Sequence, residues 1–260
     1  MDIGVKDRRA VVCGGSGGIG RAAAWRLSTE GARVLLVARD ADKLEQAAHA
    51  ISGESGVPVD CYATDLSTPA GRAALSAAHP MADILITNSG VPQRFASFQS
   101  LSRADWDWWF EAHFFSAIEL IQAYLPGMMQ RRFGRVVNVS VSFIKFPQVN
   151  AGHSHAARLA LAGAIASLVR EAAPHNVTIN SVLPGLIDTD ALRTALRERA
   201  QARNVSYESI VAEVAGRCAA GRLAAPQEAG DLIAMLASDQ MGYVTGQNIV
   251  NDGGSFQGLF

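Results

Sequence analysis

The chain has no excess charge of either sign: 23 Lys and Arg stand against 24 Asp and Glu, a formal net charge of −1. Without a basic field there is no electrostatic footprint for nucleic acid or for an anionic membrane surface, and neither is expected as a partner. Cysteine is scarce. Cys13, Cys61 and Cys218 are scattered, odd in number and without a Cys-x-x-Cys or Cys/His spacing, which excludes a disulfide framework, gives no metal site and fits a reduced, cytoplasmic setting. No apolar run reaches the roughly 18 residues of a membrane span. The opening residues, Asp2 and Asp7 among them, lack the hydrophobic segment of a signal peptide. Lysine occurs only as Lys6, Lys43 and Lys145.

What the sequence does hold is apolar material: 49% of its 260 residues are hydrophobic and 24 are glycine, enough for one sizeable core and far from a disordered composition. Short β-rich runs recur at Ala10 to Cys13, Arg33 to Val37, Ile84 to Thr87, Arg135 to Val139, Thr178 to Val182 and Asn248 to Val250. They are continuous rather than alternating, as strands buried on both faces are. Between them, Arg21 to Ser28, Lys43 to Ile51, Trp106 to Met129, Ala156 to Ala173 and Glu228 to Leu236 are rich in helix formers. Alternation of this kind predicts an α/β fold, a single domain over 1–260 with a doubly wound parallel sheet and helices on both faces. The polar helical stretch 190–219 departs from the alternation and is expected to cover a cleft.

Directly after the first strand comes Cys13-Gly14-Gly15-Ser16-Gly17-Gly18-Ile19-Gly20, and a helix follows. Glycine lets backbone approach a pyrophosphate, and the helix N-terminus offers free N–H groups and a positive dipole. Strand, glycine turn, helix and second strand together make this a Rossmann-type dinucleotide site. At the end of the second strand, where an acid would bind a ribose 2′-hydroxyl, stand Ala38 and then Arg39. An Arg there accommodates a 2′-phosphate, so NADP(H) is favoured over NAD(H). The alternative is a solvated Arg39, with Asp40 capping the next helix.

With these features the chain resembles the classical short-chain dehydrogenase/reductases, in their divergent 3-oxoacyl-reductase-like branch, and the likeness runs almost end to end. The glycine turn matches Thr-Gly-x-x-x-Gly-Ile-Gly with Cys13 in place of Thr; Asn88-Ser89-Gly90 matches the end of Asn-Asn-Ala-Gly; Gly221-Arg222, Tyr243, Thr245-Gly246 and Asp252-Gly253-Gly254 match the closing stretch. The resemblance implies that Asp65, with Leu66 beside it, follows a third strand and meets the adenine. It implies that Asn88 and Gly90 border the cofactor, and that Pro184, Gly185, Ile187 and Thr189 hold the nicotinamide side. It also implies a homotetramer or homodimer, built partly from the helix of Trp106, Trp108 and Trp109.

The catalytic positions depart from the family pattern. The family uses an Asn, a Ser and Tyr-x-x-x-Lys; alignment on the flanking motifs puts His113 at the Asn, Val141 at the Ser, Ser154 at the Tyr and Arg158 at the Lys. Arg158 lies an i,i+4 step from Ser154 and can still donate to ribose hydroxyls, but it cannot relay a proton. Ser154 can orient a carbonyl and is a poor acid alone. Histidine titrates near neutrality, so His153 or His113, acting with Ser154, is the candidate for proton transfer; the alternative is that these are capping, interface or surface histidines. Ser140 and Ser142 flank Val141 and enter the site only if the strand's end shifts register.

Weaker signals remain. Lys145 and Tyr207 read as solvated loop and packing residues. Arg193, Arg197, Arg199 and Arg203 read as a helix face balanced by Glu198 and Glu208, or, more sharply, as a site for an acidic substrate or a thioester-carrying partner. Val91, Phe95, Phe98, Val141, Phe143, Ile144 and Phe146 suggest a hydrophobic or aromatic small-molecule carbonyl substrate. Three functions follow. The first is an NADP(H)-dependent oxidoreductase with a non-standard site. The second is a non-redox hydrolase, lyase or isomerase acting on a ketone through Ser and His. The third is a catalytically silent subunit.

Overall fold

The computed structural model describes residues 2–89 and 95–259. Seven parallel strands form one sheet in the order β3-β2-β1-β4-β5-β6-β7, from β1 (Arg9–Cys13), β2 (Arg33–Ala38), β3 (Asp60–Ala63), β4 (Ile84–Asn88), β5 (Gly134–Val139), β6 (Val177–Pro184) and β7 (Asn248–Asn251). Neighbouring side chains on each strand point to opposite faces, and both faces are covered. Val12, Leu36 and Ile86 join one core with Leu27, Leu44 and Ile233, whereas Val11, Val37 and Leu85 join the other with Leu120, Ile121 and Leu161. Those partners come from α1 (Gly18–Thr29), α2 (Ala41–Ser55), α5 (Ser116–Gln130), α6 (Gly152–Ala172) and α9 (Pro226–Leu236); the other helices are α3 (Pro69–Ala78), α4 (Arg103–Phe110), α7 (Asp190–Arg203) and α8 (Tyr207–Ala215).

Three expectations about elements change. β3 and α3 do not stand among the hydrophobic runs, because β3 is an edge strand whose Asp60, Cys61 and Ala63 are exposed; no apolar periodicity marks such a strand. The helix expected from Trp106 to Met129 is α4 and α5 joined through a π-helical turn, Glu111–Phe115. The 190–219 stretch is two helices, since Asn204 ends α7 in the left-handed region (φ 51°) and Ser206 caps α8 by accepting the Ser209 N–H at 3.1 Å. Leu196, Ala200, Ile210 and Val214 close a small core of their own between these two helices.

Strand order reverses between β1 and β4, so the connections leave in opposite directions and open a crevice at the carboxyl ends of the strands. None of the described helices is long and apolar enough to cross a membrane.

Candidate active site

A cleft of about 600 Å³ lies over that crevice. Its wall begins at the glycine turn. Gly14 (φ 64°) and Gly18 (φ 53°) take the left-handed conformation that a side chain disfavours. A Cβ on Gly20 would stand 2.3 Å from the Gly14 carbonyl oxygen, and one on Gly15 would stand 2.8 Å from Leu36 Cδ2. Gly15 and Gly20 therefore shape the turn from behind, with the Gly15 N–H donating to the Val37 carbonyl at 3.2 Å, while Gly14, Ser16, Gly18 and Ile19 line the cleft together with Gly17. Gly17 precedes α1 with no side-chain cap, and no acid sits in the first turn. Uncapped N–H groups beside an open backbone fit a pyrophosphate.

The adenosine side is set by the ends of β2 and β3. Arg39 is exposed, lines the cleft and forms no ion pair among the described residues. Asp40 is committed elsewhere: its carboxylate accepts the Lys43 N–H at 3.1 Å as the cap of α2, and that bond holds it below the usual carboxylate range. Asp65 spends one oxygen on the Ser67 N–H and hydroxyl, at 2.9 and 2.7 Å. Burial raises its pKa, but the two Ser67 bonds and the Arg39 charge outweigh that and leave it lowered. Leu66 also lines the cleft, and its carbonyl accepts Arg72 Nη1 at 3.0 Å.

Across the floor, Thr87 on β4 donates to Asn138 on β5 at 3.1 Å, and Asn138 donates to Ser181 on β6 at 3.3 Å. Asn88 packs under Gly14, where a Cβ would come within 2.6 Å of its Nδ2. Pro184 ends β6 and lines the cleft, as do Gly185, Ile187 and Thr189 beyond it. The Thr189 hydroxyl accepts the Leu192 N–H at 3.3 Å and so caps α7. Gly90 and Val91 lie outside the described residues.

The inner end carries the substituted positions. The π-helical turn carries His113, 4% exposed, with Nδ1 2.7 Å from Ser89 Oγ and the ring stacked on Trp109 at 5.0 Å. Its Nε2 is buried without a hydrogen-bond partner among the described residues. Burial, reinforced by the charges of Arg158 and His153, pushes His113 down to about 2, so the ring stays neutral. The turn is anchored by Arg72, buried at 2% exposure, which donates Nη2 to Glu111 at 2.9 Å and Nε to Glu119 at 2.6 Å. Arg158 lines the cleft from α6, and burial pushes it down to about 10; it remains a cation at neutral pH.

Ser154 and His153 are fully buried in the first turn of α6 and do not line the cleft. Arg158 Nε donates to Ser154 Oγ at 3.4 Å, and the His153 ring leans on Trp109 at 4.7 Å. The cleft wall thus meets Arg158 and His113 of the four catalytic candidates, with Ser154 and His153 behind them. Beyond the end of β5, Ser140 and the extended Val141 both line the cleft and Ser142 does not, and the Ser140 hydroxyl is buried without a partner among the described residues. Ser89 is a cleft residue to which sequence reasoning gave no role, whereas Gly17 belonged to the expected glycine turn and Ser140 was expected only on a shift of register.

Other expectations sort by contact. Of the described members of the apolar set only Val141 lines the cleft; Phe143 packs against Phe146, Phe146 stacks on Phe256, Ile144 is buried, and Phe95 and Phe98 are exposed. Lys145 is exposed and Tyr207 packs under Arg197. Arg193 pairs with Asp188, whereas Arg199 and Arg203 pair with Glu213 rather than with Glu198 or Glu208. Among the described residues no cluster of His, Cys, Asp or Glu could hold a metal ion.

Comparison with known proteins agrees over the whole length. A family profile described as enoyl-(acyl carrier protein) reductase matches residues 14–255. The chain is 32% identical over 253 residues to the 3-oxoacyl-[acyl-carrier-protein] reductase FabG of Escherichia coli, covering 95% of this chain and 96% of that protein. It is 28% identical to the uncharacterized oxidoreductase YvaG of Bacillus subtilis over 100% of both. Among solved structures, L-sorbose reductase from Gluconobacter frateurii complexed with NADPH and L-sorbose superimposes with a TM-score of 0.93 at 28% identity over 100% of both chains. A 3-oxoacyl (acyl-carrier-protein) reductase from Agrobacterium tumefaciens with NADP bound gives 0.87 at 31% identity, covering 97% of this chain and 96% of that one.

Proposed function

The chain belongs to the short-chain dehydrogenase/reductase family, and we propose that it is an NADP(H)-dependent oxidoreductase that interconverts a carbonyl and an alcohol through a substituted catalytic set. The observation carrying this reading is the combination of a complete dinucleotide cradle with a buried, neutral His113 whose Nε2 has no hydrogen-bond partner among the described residues. When bound, the dinucleotide supplies or takes the hydride, and water supplies or takes the matching proton.

The protein's own groups divide the remaining work. The uncapped start of α1, with Gly14, Ser16, Gly17, Gly18 and Ile19, holds the pyrophosphate. Arg39 takes the 2′-phosphate with a charge not engaged in any ion pair among the described residues, and the NADPH- and NADP-bound neighbours support that choice. Ile187 and Thr189 border the nicotinamide side. Ser89 Oγ lies within hydrogen-bond distance of His113 Nδ1; in the tautomer this reading uses, Ser89 is the donor and the imidazole proton stays on Nε2 for the reacting oxygen. A neutral imidazole N–H stabilises a carbonyl oxygen as charge develops on it, and the Ser140 hydroxyl is a second donor for the same oxygen. Arg158 binds and does not relay protons, and Ser154 orients Arg158. Trp108, Phe115 and Leu159, exposed on the α4 to α6 side, are where further copies would pack in a homotetramer or homodimer.

Titration of dinucleotide-free protein with NADPH beside NADH, followed by fluorescence, tests the reading. Saturable binding with NADPH preferred is the expected result; no binding of either nucleotide refutes it.

A further inference from the structure

Among the described residues three arginines are buried: Arg72, Arg135 and Arg158. Two have their charge balanced inside the protein. Arg72 pairs with Glu111 and Glu119 and with the Leu66 carbonyl. Arg135 donates to the carbonyls of Ser238, Gly134 and Asn176 and pairs with Asp239. Arg158, 8% exposed and on the cleft wall, has neither. Its Nε reaches Ser154 Oγ at 3.4 Å, and it forms no ion pair among the described residues; residues 90–94 contain no acidic side chain.

The carboxylates that line the cleft are all engaged elsewhere: Asp40 caps α2, Asp65 holds Ser67, and Asp190 pairs with Arg193. A buried guanidinium without a counter-charge is unfavourable, and an anion that supplies the missing charge is bound correspondingly more tightly. Ribose hydroxyls are neutral and cannot balance it, and an oxidised nicotinamide adds a second positive charge. The neighbouring His113 is held neutral and contributes no negative charge either. With Nε turned to Ser154, the two terminal nitrogens of Arg158 remain for a planar, bidentate acceptor.

We infer that the substrate carries a carboxylate, held end-on by Arg158, close to the carbonyl whose oxygen meets His113 Nε2 and Ser140 Oγ: a short oxo acid, or the corresponding hydroxy acid in the reverse direction. This rests on the oxidoreductase reading and names its substrate class.

The test is calorimetric binding of two- to six-carbon 2-oxo and 3-oxo acids, each beside its methyl ester, to protein saturated with NADP+, where no turnover occurs. The acids are expected to bind at least about 30-fold more tightly than their esters, the low end of what an unpaired buried charge costs. Arg158→Met is expected to erase that difference and Arg158→Lys to keep part of it. Should Arg158→Met fail to fold, the acid-to-ester ratio of the unmodified protein decides alone. Acids and esters binding alike, no acid binding at all, or an acid preference that survives in Arg158→Met overturns the assignment while saturable NADP+ binding leaves the oxidoreductase reading intact. Absence of NADP+ binding removes that reading, and this inference with it.

Discussion

Replacing His113 by Asn, the residue the family carries at that position, should make the protein less sensitive to acid. In the folded state burial and the nearby Arg158 and His153 charges hold His113 at about 2, against 6.5 for an ordinary histidine. Between those values the unfolded chain binds a proton that the folded chain refuses, so stability is full above pH 6.5 and falls as the pH drops. Each pH unit costs up to about 1.4 kcal/mol, or about 2.7 kcal/mol between the plateau at higher pH and pH 4.5. His155, lowered first by burial and then by Arg158 and His153, acts in the same direction. Only the difference between the two proteins therefore isolates His113. Urea unfolding followed by tryptophan fluorescence from pH 8 to 4.5 measures it. The stability curves of the unmodified protein and His113→Asn should run parallel well above pH 7 and converge or cross below 6.5, by about 2.7 kcal/mol between that plateau and pH 4.5. Parallel curves down to pH 4.5 would show that His113 titrates normally and would remove the neutral imidazole from the proposed chemistry.

Four further substitutions probe other parts of the site. Arg39→Asp should weaken NADPH binding about 10- to 100-fold, the worth of a charge-assisted bond, and leave NADH binding unchanged or improved; equal losses for both nucleotides in parallel titrations would argue that Arg39 does not read the 2′-phosphate. Gly20→Ala places a Cβ 2.3 Å from the Gly14 carbonyl oxygen and should cost about 1–3 kcal/mol in urea unfolding together with the dinucleotide site. Gly17→Ala, with nothing within 4 Å of its Cβ, should keep its stability and lose nucleotide affinity alone. Arg72→Met removes the anchor of the turn that carries His113; because Glu111 and Glu119 can rehydrate, the expected loss is about 1.5–3 kcal/mol, with kcat falling more than the affinity for NADPH. An unchanged kcat would separate the Arg72 clamp from catalysis.

Most of the scaffold was readable because its causes are local. Val11, Val12, Leu35 and Leu36 read as a both-faces-buried sheet, and the run from Gly14 to Gly20 needs only its flanking strand and helix to declare a phosphate cradle. What escaped was set by tertiary structure. The edge strand Asp60–Ala63 has no apolar pattern, and the π-helical turn is invisible to a 3.6-residue period that runs smoothly from Trp106 to Met129. At the site, the sequence singled out the departures at positions 113, 154 and 158 but not which of them reach the cleft. Ser154 and His153 are adjacent to the wall in sequence and behind it in space. The partnership of Ser89 with His113 did leave a signal, since each residue departs from the family pattern, Ser89 for Ala and His113 for Asn. Two departures 24 residues apart become one hydrogen bond only when β4 and the π-helical turn are set side by side.

The central claim is hydride chemistry at a site without the family's Tyr, and the stoichiometry of dinucleotide consumption tests it most directly. Protein, NADPH and a short oxo acid are mixed, the absorbance at about 340 nm is followed, and the hydroxy acid formed is quantified. One NADPH consumed per hydroxy acid is the result predicted here; substrate conversion with no loss of NADPH would contradict it and place the Ser, His and Arg groups in a non-redox reaction.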